Sequence, residues 1–447
     1  MPAGKKFIGD LFLTNRFYGG LMVSIVLFLA AYFYPPLYNL TILFFWVFFA
    51  LFFLDYFFLF ILSPRPAVTR RMKDRLSNGD ENLVSLVVIN SMPIVLKMEI
   101  IDELPRQFQS RNWVIRQRFK AREQREIVYS LRPVERGEYN FGRLLLYCSS
   151  LLGFVQRRHI EPAEKKVPVY PSYIQMRKYE LLGQVTIKNE FGSKRVRKIG
   201  HSMEFEQIKE YVQGDDLRTI NWKATARKGG LMVNNYTDEK SQQVYCLIDK
   251  GRLMKMPFNE LSLLDYAINS TLVLSNVCLQ KQDKIGLLTF NHKMGSLLAA
   301  DRKPIQRENI LHLLYNQETA FLESDYEMLY LQIRTRIKQR SLLVLFTNFE
   351  SLSGLRRQLN YLRAIAKHHL LMVVFFENTE LNQLSHLQAK NVEEVYVKTI
   401  SQKFEFEKKM IVRELTNYGI LTVLTPPEKL TINAVNKYLE IKARQAI

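Results

Sequence analysis

The residues best suited to chemistry are concentrated between residues 211 and 230, in the stretch YVQGDDLRTINWKATARKGG. Its two adjacent acids, Asp215 and Asp216, could in principle act as a general acid and base. Adjacent residues usually point apart, however, whereas an acid/base pair needs convergent side chains. The chain also lacks a GxSxG elbow, a GxxxxGKS or GxxxxGKT phosphate loop, and a Cys with a His at a recognisable spacing. We therefore expect a protein that is not an enzyme.

The same stretch has a structural interpretation, which the sequence favours. Gly214 marks a turn, and Asp215 or Asp216 would then cap a helix that begins near Leu217. Capping alone explains a Gly-Asp-Asp sequence at this place. The acids would also pair with one of two arginines of the stretch, Arg218 or Arg227.

Trp222 and the basic residues allow other interpretations. In the structural one, Trp222 packs against a neighbouring domain. Alternatively, the stretch is a connector that fixes two domains against each other and offers Lys223, Arg227 and Lys228 to a partner. A basic face beside a Trp could also bind RNA. No aromatic residues are interleaved along the basic run, so we do not expect nucleic acid as the partner.

The composition is that of a globular protein with several domains. At about 100 to 200 residues per domain, 447 residues suggest two or three domains. Hydrophobic residues make up 47% of the chain and charged residues 24%, which is enough to build a core. Cys148, Cys246 and Cys278 form no CxxC pair and the seven His are scattered, so we expect neither a disulfide framework nor structural zinc.

Two long apolar runs stand near the N-terminus, at residues 17–34 and 40–62. Each is long enough to cross about 30 Å of hydrocarbon, the first only just. Basic residues flank the hairpin on both sides, which places both flanks in the cytoplasm; they are Lys5, Lys6, Arg16, Arg65, Arg70, Arg71, Lys73 and Arg75.

The sequence therefore predicts an inner-membrane protein with two spans, a cytoplasmic N-terminus and the bulk of the chain in the cytoplasm. Part of the net charge of +20 would then contact anionic lipid headgroups. A cleaved signal peptide followed by a buried helix is the alternative, but no small-residue cleavage site separates the two runs.

Asp55 lies inside the second apolar run, where an acid is costly unless it is paired or near a boundary. The first run offers it no partner. Two interpretations are open: Asp55 faces a second copy or a partner subunit, or it is a tolerated acid without function.

Residues 70–171 alternate between apolar and polar positions in short runs, which is typical of strands. The predicted strands lie at residues 82–90, 94–102, 113–120, 126–133 and 142–150. Residues 133–142 contain Pro133, Gly137 and Gly142, so we interpret them as a connection. The pattern favours an antiparallel sandwich of about 100 residues with a role in binding or spacing.

After residue 243 strands and helices alternate. Apolar runs at residues 244–249, 284–290, 341–348, 371–377 and 421–426 predict strands buried on both faces, and residues 258–280 predict a helix. We therefore expect a Rossmann-like α/β domain with a mostly parallel sheet. Functional groups gather at the carboxyl ends of such strands, which draws attention to Asp249, Thr347 and Asn348.

Residues 210–236, EYVQGDDLRTINWKATARKGGLMVNNY, followed by a strand that ends in Asp249, resemble the signature of domain-of-unknown-function family 58. The resemblance spans most of the chain and is most specific from residue 211 to residue 249. It assigns an interaction role to a set of signature residues: Tyr211, Gly214, Asp215, Asp216, Arg218, Asn221, Trp222, Lys223, Ala226 and Arg227. It implies a membrane hairpin, a β-rich segment and a domain similar to the von Willebrand factor type A fold.

Type A domains commonly hold a divalent metal through an Asp-x-Ser-x-Ser loop, a Thr and a later Asp. Asp249 stands at the first position of that pattern, but Gly251 and Leu253 stand where hydroxyls would be expected. Ser324 could replace the Thr, while Asn348 occupies the position of the later acid. The resemblance therefore implies a degenerate site that disfavours Mg²⁺, and a metal-dependent adhesion module is kept as an alternative.

The sequence thus predicts four regions: a transmembrane hairpin at residues 1–63, a β-rich sandwich-like domain at 64–175, a connector with the signature at 176–240, and a type A-like α/β domain at 241–447. We expect a membrane-anchored scaffold or adaptor. The resemblance implies a MoxR-type AAA+ ATPase as its partner in assembling or maturing other proteins. A homo-oligomer is left open, and a membrane-associated nucleic-acid binder is the less favoured alternative.

Overall fold

The computed structural model describes residues 9–61, 64–110, 113–172, 203–213, 215, 217–238, 242–319, 321–381 and 391–444. The chain divides into two compact units, Met1–Tyr170 and Pro171–Ile447. The described residues form two apolar helices near the N-terminus, further helices and several sheets. The predicted mixture of α and β structure is confirmed at this level.

The first unit begins with two apolar helices, α1 (Asn15–Phe33) and α2 (Tyr38–Phe60). A 3-10 helix at Pro35–Leu37 connects them. Both helices are long and apolar enough to cross a membrane. Large apolar side chains such as Met22 and Trp46 remain 69% and 66% exposed, and apolar residues all round a helix are typical of a membrane span.

Asp55 of α2 is fully buried inside the first unit. Its carboxylate accepts hydrogen bonds from the backbone amides of Phe154 and Val155 at 2.9 and 3.1 Å, and from the hydroxyl of Ser150. The interpretation of Asp55 as an acid that faces a partner subunit is therefore wrong, whereas the interpretation as a tolerated acid without function is not tested. The partners of Asp55 are polar groups of its own chain, which compensate the cost of burying the carboxylate.

Further hydrogen bonds join the two helices to the β-rich part of the unit. The guanidinium of Arg16, in α1, donates to the carbonyl of Leu152 at 3.0 Å. Arg157 donates to the carbonyl of Leu59, in α2, at 2.6 Å. The hairpin and the β-rich region are thus joined by hydrogen bonds from both helices.

Eleven strands of the first unit are described. They are β1 (Leu11–Leu13), β2 (Ala67–Arg71), β3 (Leu76–Ser77), β4 (Asn82–Ile89), β5 (Leu96–Asp102), β6 (Val114–Phe119), β7 (Gln124–Leu131), β8 (Gly137–Phe141), β9 (Leu144–Ser149), β10 (Val155–Glu161) and β11 (Lys165–Tyr170). The sheets have the orders β1-β10-β9-β5-β6, β2-β4-β7 and β3-β11-β8.

Alternating burial explains how these sheets pack. Leu96, Met98 and Ile100 of β5 are buried, and they share one core cluster with Leu86 and Val88 of β4. The two sheets that contain β4 and β5 therefore bury their apolar faces together, as in a sandwich. Residues 133–142 were interpreted as a connection, and this is wrong for Gly137–Phe141, which forms the strand β8 and pairs with β11. The burial of β8 alternates along the strand, as it does in a strand with one face towards a core.

The second unit contains a separate hairpin of β12 (Met203–Glu210) and β13 (Met232–Asp238), which pair antiparallel. Between these strands lie a 3-10 helix, Leu217–Thr219, and the short helix α3 (Trp222–Lys228). The signature stretch therefore forms the connection of a β-hairpin.

The remainder of the second unit alternates strands and helices. The strands are β14 (Gln243–Asp249), β15 (Pro257–Phe258), β16 (Leu261–Ser262), β17 (Lys284–Phe290), β18 (Met294–Asp301), β19 (Leu342–Phe346), β20 (Leu370–Phe376) and β21 (Leu421–Thr425). The helices are α4 (Leu263–Gln280), α5 (Ile305–Tyr315), α6 (Tyr326–Arg336), α7 (Leu352–His368), α8 (Val392–Asn417) and α9 (Leu430–Ala443).

Six of these strands form one sheet in the order β18-β17-β14-β19-β20-β21. All neighbours pair parallel except β17 and β18. Tyr245 and Leu247 of β14 pack into a core cluster with residues of α6, α7 and α8, whereas α4 contacts β14 and α9. Since successive side chains of a strand point to opposite faces, helices cover both faces of the sheet.

The helix predicted at residues 258–280 begins at Leu263 instead. The Ser262 hydroxyl accepts a hydrogen bond from the Asp265 amide, and the Asp265 carboxylate accepts one from the Ser262 amide, so a capping box fixes the start. The preceding residues form the small antiparallel pair β15 and β16. The antiparallel edge strand β18 was not predicted from the sequence.

Candidate functional site

Asp249 and Thr347 lie side by side at the carboxyl edge of the six-stranded sheet. Asp249 ends β14 and Thr347 follows β19, and the parallel pairing of Ile248 with Phe346 brings them together. The chain proceeds from β14 to β17 on one side and later to β19 on the other. This edge is therefore the point where the strand order reverses, the usual ligand site of open α/β sheets.

The carboxylate of Asp249 is buried, with 4% of the residue exposed. It accepts hydrogen bonds from the Thr347 hydroxyl at 2.7 Å, the Gly251 amide at 2.8 Å and the Tyr326 hydroxyl at 3.4 Å. The hydroxyl of Ser324 also donates to it. Four donor groups thus surround one carboxylate. We call Asp249 and its partners Gly251, Ser324, Tyr326 and Thr347 the Asp249 cluster.

Burial dominates the electrostatics of the Asp249 cluster. Burial raises the pKa of Asp249, and the hydrogen bonds from Ser324, Thr347 and Gly251 oppose this shift without cancelling it. The pKa of Tyr326 is raised well above its usual value by burial and by the Asp249 carboxylate. Tyr326 therefore keeps its proton and serves as a hydrogen-bond donor.

Gly251 allows the loop after β14 to approach Ser324. A Cβ at this position would overlap the Ser324 hydroxyl and would lie 3.1 Å from Asp249 Oδ1 and 3.2 Å from the Ser324 amide. Leu253 follows in a 3-10 helix, Arg252–Lys255, and is partly buried. Neither residue offers a side-chain oxygen.

Asn348 makes a different contact. Its side-chain oxygen accepts a hydrogen bond from the ammonium of Lys408, in α8, at 2.8 Å, and the carbonyl of Phe349 accepts a second at 2.6 Å. Asn348 and Phe349 are both buried at 4% exposure. Burial lowers the pKa of Lys408 to about 8, and Glu350 and Glu377 oppose the shift.

Lys408 was not predicted to be part of a site, although its position in the sequence carried a signal. Lys408 stands three and seven residues before Ile411 and Leu415, the buried positions of α8. This spacing places Lys408 on the apolar face of the helix. A lysine on such a face is expected to have hydrogen-bond partners within the protein.

The residues at this edge do not fit a divalent cation. Such a cation needs several oxygen ligands, preferably carboxylates, but the one carboxylate of the Asp249 cluster already accepts four hydrogen bonds. The ammonium of Lys408 holds Asn348. Across the residues that the structure describes, no group of three or more His, Cys, Asp or Glu could hold a metal ion.

Asp215 does not cap the helix that follows it. Its carboxylate accepts from the Val212 amide at 3.1 Å and pairs with Lys209 at 2.8 Å, and these contacts lower its pKa. Asp215 therefore has Lys209 as its ion-pair partner, while the pairing of the stretch's acids with Arg218 or Arg227 stays a prediction for Asp216. Gly214 and Asp216 lie outside the described residues.

Asn221 is the cap of α3. Its side-chain oxygen accepts from the Ala224 amide at 3.0 Å, and its amide donates to Asn234, in β13, at 2.8 Å. The backbone amide of Tyr211 donates to Leu231 across the hairpin at 2.9 Å. Asn221 and Tyr211 thus hold the connection onto its strands.

Trp222 is 70% exposed, and its packing against a neighbouring domain stays a prediction. Trp222 is the first residue of α3. The other signature residues around it are also exposed; they are Arg218, Lys223, Ala226 and Arg227. Lys228 pairs with Glu210 at 3.0 Å.

A cavity of about 420 Å³ opens beside Asn348 and Lys408, at the ends of β19, β20 and β21. Its walls are mostly apolar and include Phe376, Phe404 and Leu424. We call it the edge pocket. No residue of the edge pocket other than Asn348 was predicted to be part of a site.

Fold and site together define an α/β domain with a hydroxyl-bound carboxylate at the reversal point of its sheet, in a chain with two apolar N-terminal helices. Residues 207–410 match the family described as "Protein of unknown function DUF58", which confirms the family resemblance for this part of the chain. A curated relative, "Uncharacterized protein YeaD" of Bacillus subtilis (strain 168), is 24% identical over 205 residues, covering 43% of this chain. The chain spans 49% of that relative's length.

Two solved structures are similar to parts of the chain. The CARDB domain of the PF1109 protein from Pyrococcus furiosus is 14% identical, with 24% of this chain and 90% of that chain covered and a TM-score of 0.18. The ASH / PapD-like domain of human CEP192 is 12% identical, with coverages of 24% and 92% and a TM-score of 0.17. These TM-scores do not show a shared fold.

Proposed function

We propose that the protein is a non-enzymatic scaffold or adaptor anchored in the inner (cytoplasmic) membrane, whose cytoplasmic α/β domain docks partner proteins. The observation that carries this proposal is the buried carboxylate of Asp249, which accepts hydrogen bonds from its own chain. An acid/base or metal-dependent reaction at the reversal point needs a carboxylate with free lone pairs. Here Ser324, Thr347 and Tyr326 donate to it, which favours binding over chemistry at this edge.

We further propose that this α/β domain is similar to the von Willebrand factor type A fold. Helices on both faces of the sheet, the antiparallel edge strand β18 and an acid at the end of β14 support this description. In that description, Gly251 and Leu253 replace the ligand hydroxyls.

The two apolar helices and their basic flanks support the membrane location. Arg65, Arg70 and Arg71 follow α2, so the positive-inside rule places the body of the protein in the cytoplasm. Protease added to intact spheroplasts should leave the body uncut, and protease added to lysed spheroplasts should digest it. Digestion in intact spheroplasts would contradict the orientation.

The proposed partner is a MoxR-type AAA+ ATPase, with a role in the assembly or maturation of other proteins. The test is a detergent pull-down of the tagged full-length protein from its native membrane, with and without ATP, followed by mass spectrometry. Recovery of an AAA+ ATPase would support the adaptor role. Recovery of the protein without any ATPase, together with a hydrolytic activity of the purified chain, would overturn it.

The same pull-down can test the role of the signature stretch, because α3 is exposed. Trp222 and Arg227 are both exposed on α3. If α3 is part of the docking surface, Trp222→Ala and Arg227→Ala will lower ATPase recovery without changing the thermal unfolding temperature. Unchanged recovery would leave the stretch with a structural role.

A further inference from the structure

The edge pocket is built from chain segments that follow three neighbouring parallel strands. Asn348 and Glu350 follow β19, Glu377 and Glu380 follow β20, and Leu424 lies in β21. The helix α8 closes the pocket on one side through Phe404 and Lys408, and the segment around Phe258 closes it on another. A cavity of about 420 Å³ is large enough for one or two bulky side chains.

Most of the walls are apolar. The apolar lining includes Phe258, Leu263, Phe376, Phe404, Leu424 and Pro427. Phe404 remains 40% exposed, and Met256, also at the pocket, is 38% exposed. Exposed apolar walls of this kind are covered when a partner's apolar side chain enters.

The rim of the edge pocket is acidic, although the chain carries a net charge of +20. Four glutamates and two lysines line it; they are Glu350, Glu377, Glu380, Glu405, Lys408 and Lys409. Lys409 is paired with Glu405 at 2.6 Å, and Lys408 donates to Asn348 and Phe349. Within the described part of the chain, Glu350 and Glu380 are exposed and form no ion pair.

The apolar surface continues beyond the pocket along the first half of α8. Ile400 is 36% exposed, Tyr396 69% and Val392 87%. These residues follow one another at intervals of four, so they lie along one side of the helix. A small molecule would fill the pocket alone, whereas an extended segment of a protein would also cover this side of α8.

We propose that the edge pocket binds a segment of a partner protein that presents an Arg or Lys beside a bulky apolar side chain. The apolar side chain fills the cavity, and the cation lies between Glu350 and Glu380. Opposite charges at a rim select the partner and its orientation, while the buried apolar group supplies most of the affinity. The proposal rests on the adaptor function above and names the surface and chemistry of its docking.

Site-specific photo-crosslinking tests the occupant. The full-length protein, in its native membrane, carries benzoylphenylalanine in place of Phe404, and a control carries it in place of Val128, a 58% exposed residue of β7 in the first unit. We expect a crosslink at position 404, absent at position 128, to a peptide that contains Arg or Lys within a few residues of a bulky apolar side chain. An acidic peptide, a lipid, or a peptide from a second copy of this chain would overturn the proposal.

Charge reversal provides the second measurement. Glu350→Lys and Glu380→Lys should each lower the crosslink at position 404 by at least about fivefold, because a rim ion pair becomes a repulsion. Glu81→Lys, an exposed glutamate of the first unit, is the matched control and should have no effect. Equal crosslinking in all three variants would overturn the proposed role of charge.

The two proposals fail in distinguishable ways. If an AAA+ ATPase co-purifies but crosslinking at position 404 is absent or independent of charge, the edge pocket is not the docking surface and the adaptor function stands. If the crosslinked peptide is basic and apolar but no ATPase co-purifies, the pocket is supported and the proposed ATPase partner is wrong.

Discussion

Asp55, five residues before the end of the second apolar helix, accepts a hydrogen bond from the hydroxyl of Ser150, which lies 95 residues further along the chain. The same carboxylate binds two consecutive backbone amides, those of Phe154 and Val155. The carboxylate of Asp55 therefore joins the helical hairpin to the β-rich region of the first unit by hydrogen bonds.

Replacing Asp55 with Ala should lower the stability of the first unit. The substitution leaves two buried backbone amides and a hydroxyl without their acceptor, at a cost of about 2 to 4 kcal/mol. We expect a lower thermal unfolding temperature and faster proteolysis of the β-rich region in detergent-solubilised protein. Asp74→Ala is the matched control, because the Asp74 side chain is 96% exposed and its pairing with Lys165 contributes little. Equal stability of the two variants would show that Asp55 has no structural role.

The close approach of Gly251 to Ser324 predicts a specific intolerance to side chains. Gly251→Ala introduces a Cβ that overlaps the Ser324 hydroxyl, and we expect a loss of about 1 to 3 kcal/mol of stability. Gly230→Ala is the control, since nothing lies within 4 Å of a Cβ there. Combining Gly251→Ala with Ser324→Ala should recover part of the loss, and strict additivity in this double-mutant cycle would contradict the contact.

Magnesium should not stabilise the protein. A ligand at a hundred times its dissociation constant raises stability by about 2.7 kcal/mol, which is readily seen as a shift in unfolding temperature. We expect ~10 mM Mg²⁺ to shift the unfolding temperature by less than about 1 °C relative to sodium chloride of equal ionic strength. Asp249→Asn should respond identically. A shift present in the wild type and absent in Asp249→Asn would support the metal-dependent alternative.

Lys408 should give the protein a pH-dependent stability. Burial lowers the pKa of Lys408 to about 8 in the folded protein, whereas an unfolded lysine titrates near 10.4. Between these values the unfolded state binds more protons, so the contribution of Lys408 to the free energy of unfolding rises with pH.

The measurement compares the wild type with Lys408→Met from about pH 7 to about pH 10.5. We expect the stability difference to move in favour of the wild type as the pH rises through about 8. A difference that is independent of pH would mean that Lys408 titrates like a solvated lysine. Lys409→Met, which removes an exposed lysine paired with Glu405, serves as the control.

Regular local patterns made much of the fold predictable. The apolar runs at residues 244–249 and 284–290 became β14 and β17 with nearly unchanged bounds. Because parallel strands end at a common edge, the clustering of Asp249 and Thr347 could also be expected from their positions after two such runs. The bounds of the apolar helices moved by about two residues, as helix ends commonly do.

Contacts between distant residues were not predictable in this way. The partners of Asp55 are a loop hydroxyl and two amides, which no local pattern encodes. The start of α4 was misplaced because a capping box at Ser262 decides it, not the apolar period that extends before it.

The separation of Asp55 from Ser150 also has a consequence for biosynthesis. A ribosome that adds about 5 to 20 residues per second needs roughly 5 to 20 s to pass from one residue to the other. Under the proposed membrane location, α2 would enter the bilayer during this interval while the Asp55 carboxylate has no hydrogen-bond donor, a costly state for a membrane helix. Completion of the β-rich region then supplies the hydroxyl and the two amides, so Asp55 gains its donors only after the chain behind α2 has folded.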